Sequence, residues 1–197
     1  MTLMNHPGHP PGCLRLTPSF PLFAAALGLL ATVHGLARSA WATPADIPRG
    51  KALYAKTCVA CHGDRAQGKR EVSSPALHTQ EPWYLLSQLQ NFRAGLRGTN
   101  PKDITGATMR PLAQALPDAQ SLVDLAAYIS AIEGPPAVNE VKGDVAAGAA
   151  TYKKVCASCH GDNAKGKLEV KSPALVGQND WYVVNQLTKF KQGLRGF

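Results

Sequence analysis

Leu85, Leu89, Phe92 and Leu96 follow one another at intervals of three and four residues, which predicts a helix over Pro82 to Ala94 with these side chains on one face. Trp181 to Lys191 repeats the pattern. A further helix is predicted over Asp118 to Ile132, where Asp118 stands at the start and Leu122, Leu125, Ala126 and Ile129 share one side. Two shorter helical patterns, Pro48 to Thr57 and Val145 to Val155, begin behind Asp46 and Asp144, each placed as an N-cap. The chain therefore reads as all-α, with these apolar faces as its core. Glu133-Gly134-Pro135-Pro136 ends the Asp118 helix, and the paired prolines predict a stiff, extended connector reaching to about Gly143.

The elements belong to a duplication. Aligned without gaps, Gly50 to Thr99 and Gly148 to Phe197 agree at 28 of 50 positions, which means a whole module was copied rather than a motif. A period near one hundred residues is too long for a solenoid unit, so each copy should build its own core. The expected organisation is a leader over 1–42, a module over 45–132, a linker over 133–142 and a second module over 143–197. Gly50 and Gly148 occupy equivalent places in the first helix of each copy. Glycine inside a helix costs roughly 1 kcal/mol against alanine, so both positions predict close approach by another backbone.

Each copy carries the string Cys-x-x-Cys-His, at Cys58, Cys61 and His62 and again at Cys156, Cys159 and His160. Two thiols at this spacing can each add across a vinyl group of one haem while the adjacent imidazole meets the iron, so the motif marks covalent haem attachment. Zinc binding uses the same residue types, but its pairs usually stand within some tens of residues of each other, whereas here each pair has its own His in its own repeat. A thioredoxin-like dithiol lacks its βαβ surroundings, and a disulfide across so short a loop would stabilise little. Two covalent haem c groups, with iron on His62 and His160, are the cofactors expected.

The fifth cysteine, Cys13, lies in an amino-terminal segment that resembles a cleavable export signal: Arg15 precedes a mostly apolar run from Phe20 to Ala37, and Ala40-Trp41-Ala42 supplies small residues for cleavage. Export places the protein in the periplasm, with membrane association only through a partner or an uncleaved leader. The formal charge is +8, and without residues 1–42 it becomes +6, from 19 basic and 13 acidic side chains. A moderately basic surface favours encounter with acidic protein partners. Nucleic acid is not expected as a partner, because export removes the opportunity and the basic residues are interspersed with acids and form no stripe.

On these motifs the chain resembles the class I cytochromes c, and its tandem arrangement resembles the two-haem cytochrome c4 group. The resemblance implies that the first and last helices of a module cross at a glycine beside aromatic residues, which assigns Gly50 and Tyr54 against Leu125 and Tyr128. It implies a proline carbonyl that accepts a hydrogen bond from the proximal His, which maps onto Pro75 and Pro173. It further implies a methionine as the other iron ligand, in an extended segment before the last helix; Met109 is the sole methionine after the leader. His78 competes weakly, because its counterpart in the second copy is Val176. The function implied is electron carriage with no substrate transformed, between a quinol-oxidising complex or a dehydrogenase as donor and a terminal oxidase as acceptor.

The repeat offset puts the counterpart of Met109 at 207 and that of Ile132 at 230, past Phe197, so the second module is expected to be incomplete as read. Two alternatives stay open on that expectation: a haem enzyme or ligand-binding subunit using a vacant position on the second iron, which Lys165, Lys167 or Lys189 could otherwise fill, and a cytochrome subunit of a periplasmic dehydrogenase.

Overall fold

The computed structural model describes residues 44–196. The leader expected over residues 1–42, with Cys13, lies outside the described residues. Eight α-helices are found among the described residues: α1 (Ile47–Thr57), α2 (Val59–His62), α3 (Pro82–Ala94), α4 (Ile104–Gln114), α5 (Ala119–Ser130), α6 (Val145–Thr151), α7 (Ala157–His160) and α8 (Asp180–Lys191). Single 3₁₀ turns at Arg70–Val72 and Leu168–Val170 occupy equivalent places in the two copies. No β-strand occurs among the described residues, only the isolated bridges Lys69 to Ser74 and Lys167 to Ser172.

Caps fix where the helices begin. Asp46, Asp118 and Asp144 accept hydrogen bonds from the backbone N–H groups of Arg49, Ser121 and Ala147, satisfying donors that a helix start leaves open. In the first copy α5 lies across α1 and α3, and α4 lies against α3. Tyr54, Leu85, Leu116, Leu122, Leu125, Ala126 and Ile129 form the core between them. The crossing of α1 and α5 is possible only because residue 50 is glycine: a Cβ there would run into the Asp124 carbonyl and the Tyr128 Cβ. Tyr54 packs on Tyr128 with ring centroids 5.7 Å apart, as the resemblance implied.

Five expectations need correction. Met109 does not sit in an extended segment but inside helix α4, whose start is capped by Asp103 through the Gly106 N–H at 3.1 Å. Leu96 is not part of the core face; α3 stops at Gly95, whose φ of +77° turns the chain, and Leu96 is exposed. Gly148 does not meet another backbone: a Cβ there would have nothing within 4 Å among the described residues. Leu187 and Phe190 on α8, the counterparts of the core residues Leu89 and Phe92, are likewise exposed. Val145–Val155 also ends differently, with α6 giving way to a π turn over Tyr152–Cys156.

The two copies meet through reciprocal contacts related by the repeat. Gln178 Nε2 donates to the Ala76 carbonyl at 2.9 Å and Gln80 Nε2 to the Ala174 carbonyl at 3.2 Å. Arg97 donates to Gln88 (2.6 Å) and Tyr182 (3.1 Å), while Arg195 donates to Gln186 (2.6 Å) and Tyr84 (2.9 Å). Ile132 to Asp144 form no regular element, and Asp180 accepts from the backbone N–H groups of Glu140 and Val141, fastening this connection to α8.

Candidate haem sites

Helix α1 delivers the chain directly into the first Cys-x-x-Cys-His string, and α2 turns Cys58, Cys61 and His62 toward one cavity of about 350 Å³. Leu85, Leu89 and Phe92 from α3, Met109, Leu112 and Ala113 from α4, and Leu125 and Ile129 from α5 line the same space. Met109 and His62 thus share one cavity although 47 residues separate them in the chain. His78 lies elsewhere, with Nδ1 3.0 Å from the Ala66 carbonyl and its ring against Gly134.

The imidazole is oriented for coordination. His62 Nδ1 lies 2.9 Å from the Pro75 carbonyl, and His160 Nδ1 lies 2.9 Å from that of Pro173. A carbonyl can only accept, so each Nδ1 carries the proton and each Nε2 keeps its lone pair for a metal. Burial pushes the His62 pKa below its ordinary value, outweighing the bond to Pro75, and so favours the neutral ring that a metal requires. Tyr54 donates to the Gly63 carbonyl at 2.6 Å and Tyr152 to that of Gly161 at 2.6 Å, so in each copy the first helix is tied to the residue following the histidine.

Burial, helped by the neighbouring Cys61, pushes the Cys58 thiol up to about 12. A structural zinc site gathers four such ligands, and no group of three or more His, Cys, Asp or Glu side chains able to hold a metal ion occurs among the described residues. Cys58, with Cys61 beside it on the same apolar cavity, is placed for addition to a haem vinyl group instead. Arg97 in the cavity wall fits the same group: its buried Nε has no hydrogen-bond partner, and neither do the buried Nε atoms of Arg110 and Arg195 or Gln186 Nε2. Arg97 and Arg195, both buried, bond to amides and phenols and, among the described residues, to no carboxylate. Burial would raise the Tyr182 pKa, yet these two guanidiniums and Lys189 hold it below its ordinary value. Such a cluster of buried cationic donors is a place for carboxylates, which a haem brings as its two propionates.

A model of the family described as "Cytochrome c" matches residues 47–133, and one described as "Cytochrome C oxidase, cbb3-type, subunit III" matches residues 143–196. Cytochrome c4 of Azotobacter vinelandii is 33% identical over 174 residues, which span 83% of this chain and 79% of that protein. This chain belongs to the cytochrome c4 group of the class I cytochromes c. The thiosulfate dehydrogenase electron acceptor of Stutzerimonas stutzeri is 30% identical over 184 residues, 84% of this chain and 80% of that protein. Reduced cytochrome c4 from Pseudomonas stutzeri superposes with a TM-score of 0.58 at 28% identity, covering 77% of this chain and 83% of that one.

As in other cytochromes c, the cofactor is covalently bound haem c and the work is electron transfer. In cytochrome c terms the first copy has its motif, its apolar wall and Met109 around one cavity. In the second copy, His160 is half-buried and Cys159 exposed among the described residues. Two of the lysines named as alternative ligands are engaged: Lys167 Nζ donates to the Ser158 carbonyl at 2.8 Å, and Lys189 Nζ bonds to Asp103 of the first copy. Sequence reasoning missed Gln80, Gln88, Arg97 and their repeats. Their signal was identity at the 98-residue offset in positions off the apolar face.

Proposed function

We propose that the chain is a periplasmic two-haem electron carrier, exported by a leader over 1–42 and built of modules over 45–132 and 143–197 joined by a linker over 133–142. Cys58, Cys61, Cys156 and Cys159 anchor the haems, His62 and His160 are the proximal ligands, and Met109 completes the first iron. Bound haem supplies an iron that accepts one electron as ferric and releases it as ferrous, with no bond made in a substrate. Around it the protein's part is to hold His62 by Pro75, to keep water out with the walls of α3 and α5, and to neutralise propionates with Arg97 and Arg195.

The observation that carries this reading is the single cavity shared by Cys58, Cys61, His62 and Met109. Replacing a thioether by water on a proximal-His haem lowers the reduction potential, since the axial ligand is one of the main levers on it. Met109→Ala is therefore expected to lower the potential of one haem and to make that iron bind carbon monoxide. A redox titration that shows two unchanged potentials would reject Met109 as the ligand. Likeness to a thiosulfate dehydrogenase electron acceptor favours a periplasmic dehydrogenase as donor, with a terminal oxidase as acceptor; a quinol-oxidising complex is the other donor consistent with the basic surface.

A further inference from the structure

The one ion pair between the two copies among the described residues falls on the helix that carries Met109. Lys189 Nζ, from α8, donates to Asp103 Oδ1 at 2.5 Å and to Thr105 Oγ1 at 2.5 Å. Both charges are withdrawn from water, with the lysine side chain 12% exposed and the aspartate 1%. Asp103 is also the N-cap of α4, so a single carboxylate joins the second copy to the first turn of this helix.

That turn is held tightly, and the middle of the helix lacks one backbone bond. A Cβ at Gly98 would strike the Gly106 carbonyl, and one at Gly106 would strike the Asp103 carboxylate, so the start of α4 is wedged against the chain at Gly98. Pro111 lies inside α4 and has no N–H to return to the preceding turn, which removes a bond just beyond Met109. Met109 stands one turn after Gly106, between the anchored start and the weakened middle. In the first copy the residue equivalent to Lys189 is Asn91, so the clamp is no consequence of the repeat.

We infer that Lys189 is a positioning residue for Met109: the second module fixes the first turn of α4 and thereby holds the thioether against the first iron. This rests on Met109 being a ligand, and the experiment separates the two claims. The two-haem protein is prepared as parent, Lys189→Ala, Lys189→Arg, Asp103→Asn, the double variant Lys189→Ala with Asp103→Asn, and Met109→Ala, and the ferric sulfur-to-iron charge-transfer band is followed while cyanide is added. Asn keeps the capping oxygen of Asp103 while losing its charge. Lys189→Ala is expected to lose the band at about tenfold lower cyanide, with about tenfold corresponding to 1.4 kcal/mol. Lys189→Arg restores the parent value, Asp103→Asn shifts it in the direction of Lys189→Ala, and the double variant adds little to either. A band that Met109→Ala abolishes but Lys189→Ala leaves at the parent cyanide concentration overturns this inference alone. A band that survives Met109→Ala removes the ligand assignment and this inference with it.

Discussion

Asp118 shows how much one side chain settles at the start of a helix. Its Oδ1 accepts from both the Ser121 N–H and the Ser121 hydroxyl at 2.7 Å, and its Oδ2 lies 2.6 Å from Arg49 of α1. Those bonds, the Ser121 hydroxyl foremost, hold its pKa down at about 2. A carboxylate depressed in the folded state favours folding in its charged form, so its contribution is complete above the unfolded value near 3.8 and disappears as pH falls through about 2. Asp118→Asn keeps a capping oxygen but never ionises. The difference in melting temperature between parent and variant should therefore shrink toward zero between about pH 5 and pH 2. A difference that stays constant across that window would show that the charge of Asp118 plays no part. The same side chain was legible in the sequence as a cap, because Asp directly before an apolar periodic run has few other uses. Its partner Arg49 was not, since a contact across 69 residues leaves no local trace.

At the level of elements, α1 and α5 could be read from the chain because an aspartate cap starts each, and α3 because its apolar positions recur at three- and four-residue intervals. Helix α4 could not, because Thr105, Gly106, Thr108 and Pro111 are all poor formers of a helix interior. It exists through its Asp103 cap and its packing on α3, so tertiary contact overrides propensity there. Glycine is the other case where sequence alone could not discriminate. Gly50 and Gly148 look identical in the repeat, yet among the described residues only the first is crossed by another helix. Gly50→Ala forces α1 and α5 apart and should destabilise the first copy by about 1–3 kcal/mol, the usual range for overpacking. Gly148→Ala, in this 197-residue chain, should instead stabilise α6 by up to roughly 1 kcal/mol from helix propensity. Denaturant unfolding of both variants checks the pair; equal effects of the same sign would contradict the crossing.

For the whole molecule, the decisive feature is that the boundary between copies and the wall of the first cavity share residues. Gln178 and Tyr182 belong to the second copy yet line the first cavity, while Gln80 and Arg97 on the other side both line that cavity and contact the second copy. A haem-binding copy of this kind is not enclosed by its own sequence alone. Polar residues make this contact, so it escaped any reading based on hydrophobic pattern; its trace was that Tyr84, Gln88 and Arg97 recur as Tyr182, Gln186 and Arg195. Buried hydrogen bonds between uncharged groups each contribute on the order of 1 kcal/mol net, and more when one partner is left unpaired in the interior. Removing Gln80 and Gln178 together deletes two of the hydrogen bonds that cross the boundary and leaves the Ala76 and Ala174 carbonyls to find water. The parent protein, held by both bonds and by the Arg97 and Arg195 network, should unfold in one calorimetric transition. The double alanine variant should lose about 2 kcal/mol and separate into two transitions, one per copy. A variant that still melts in a single transition at the parent temperature would mean that the Gln80 and Gln178 bonds are not what couples the copies.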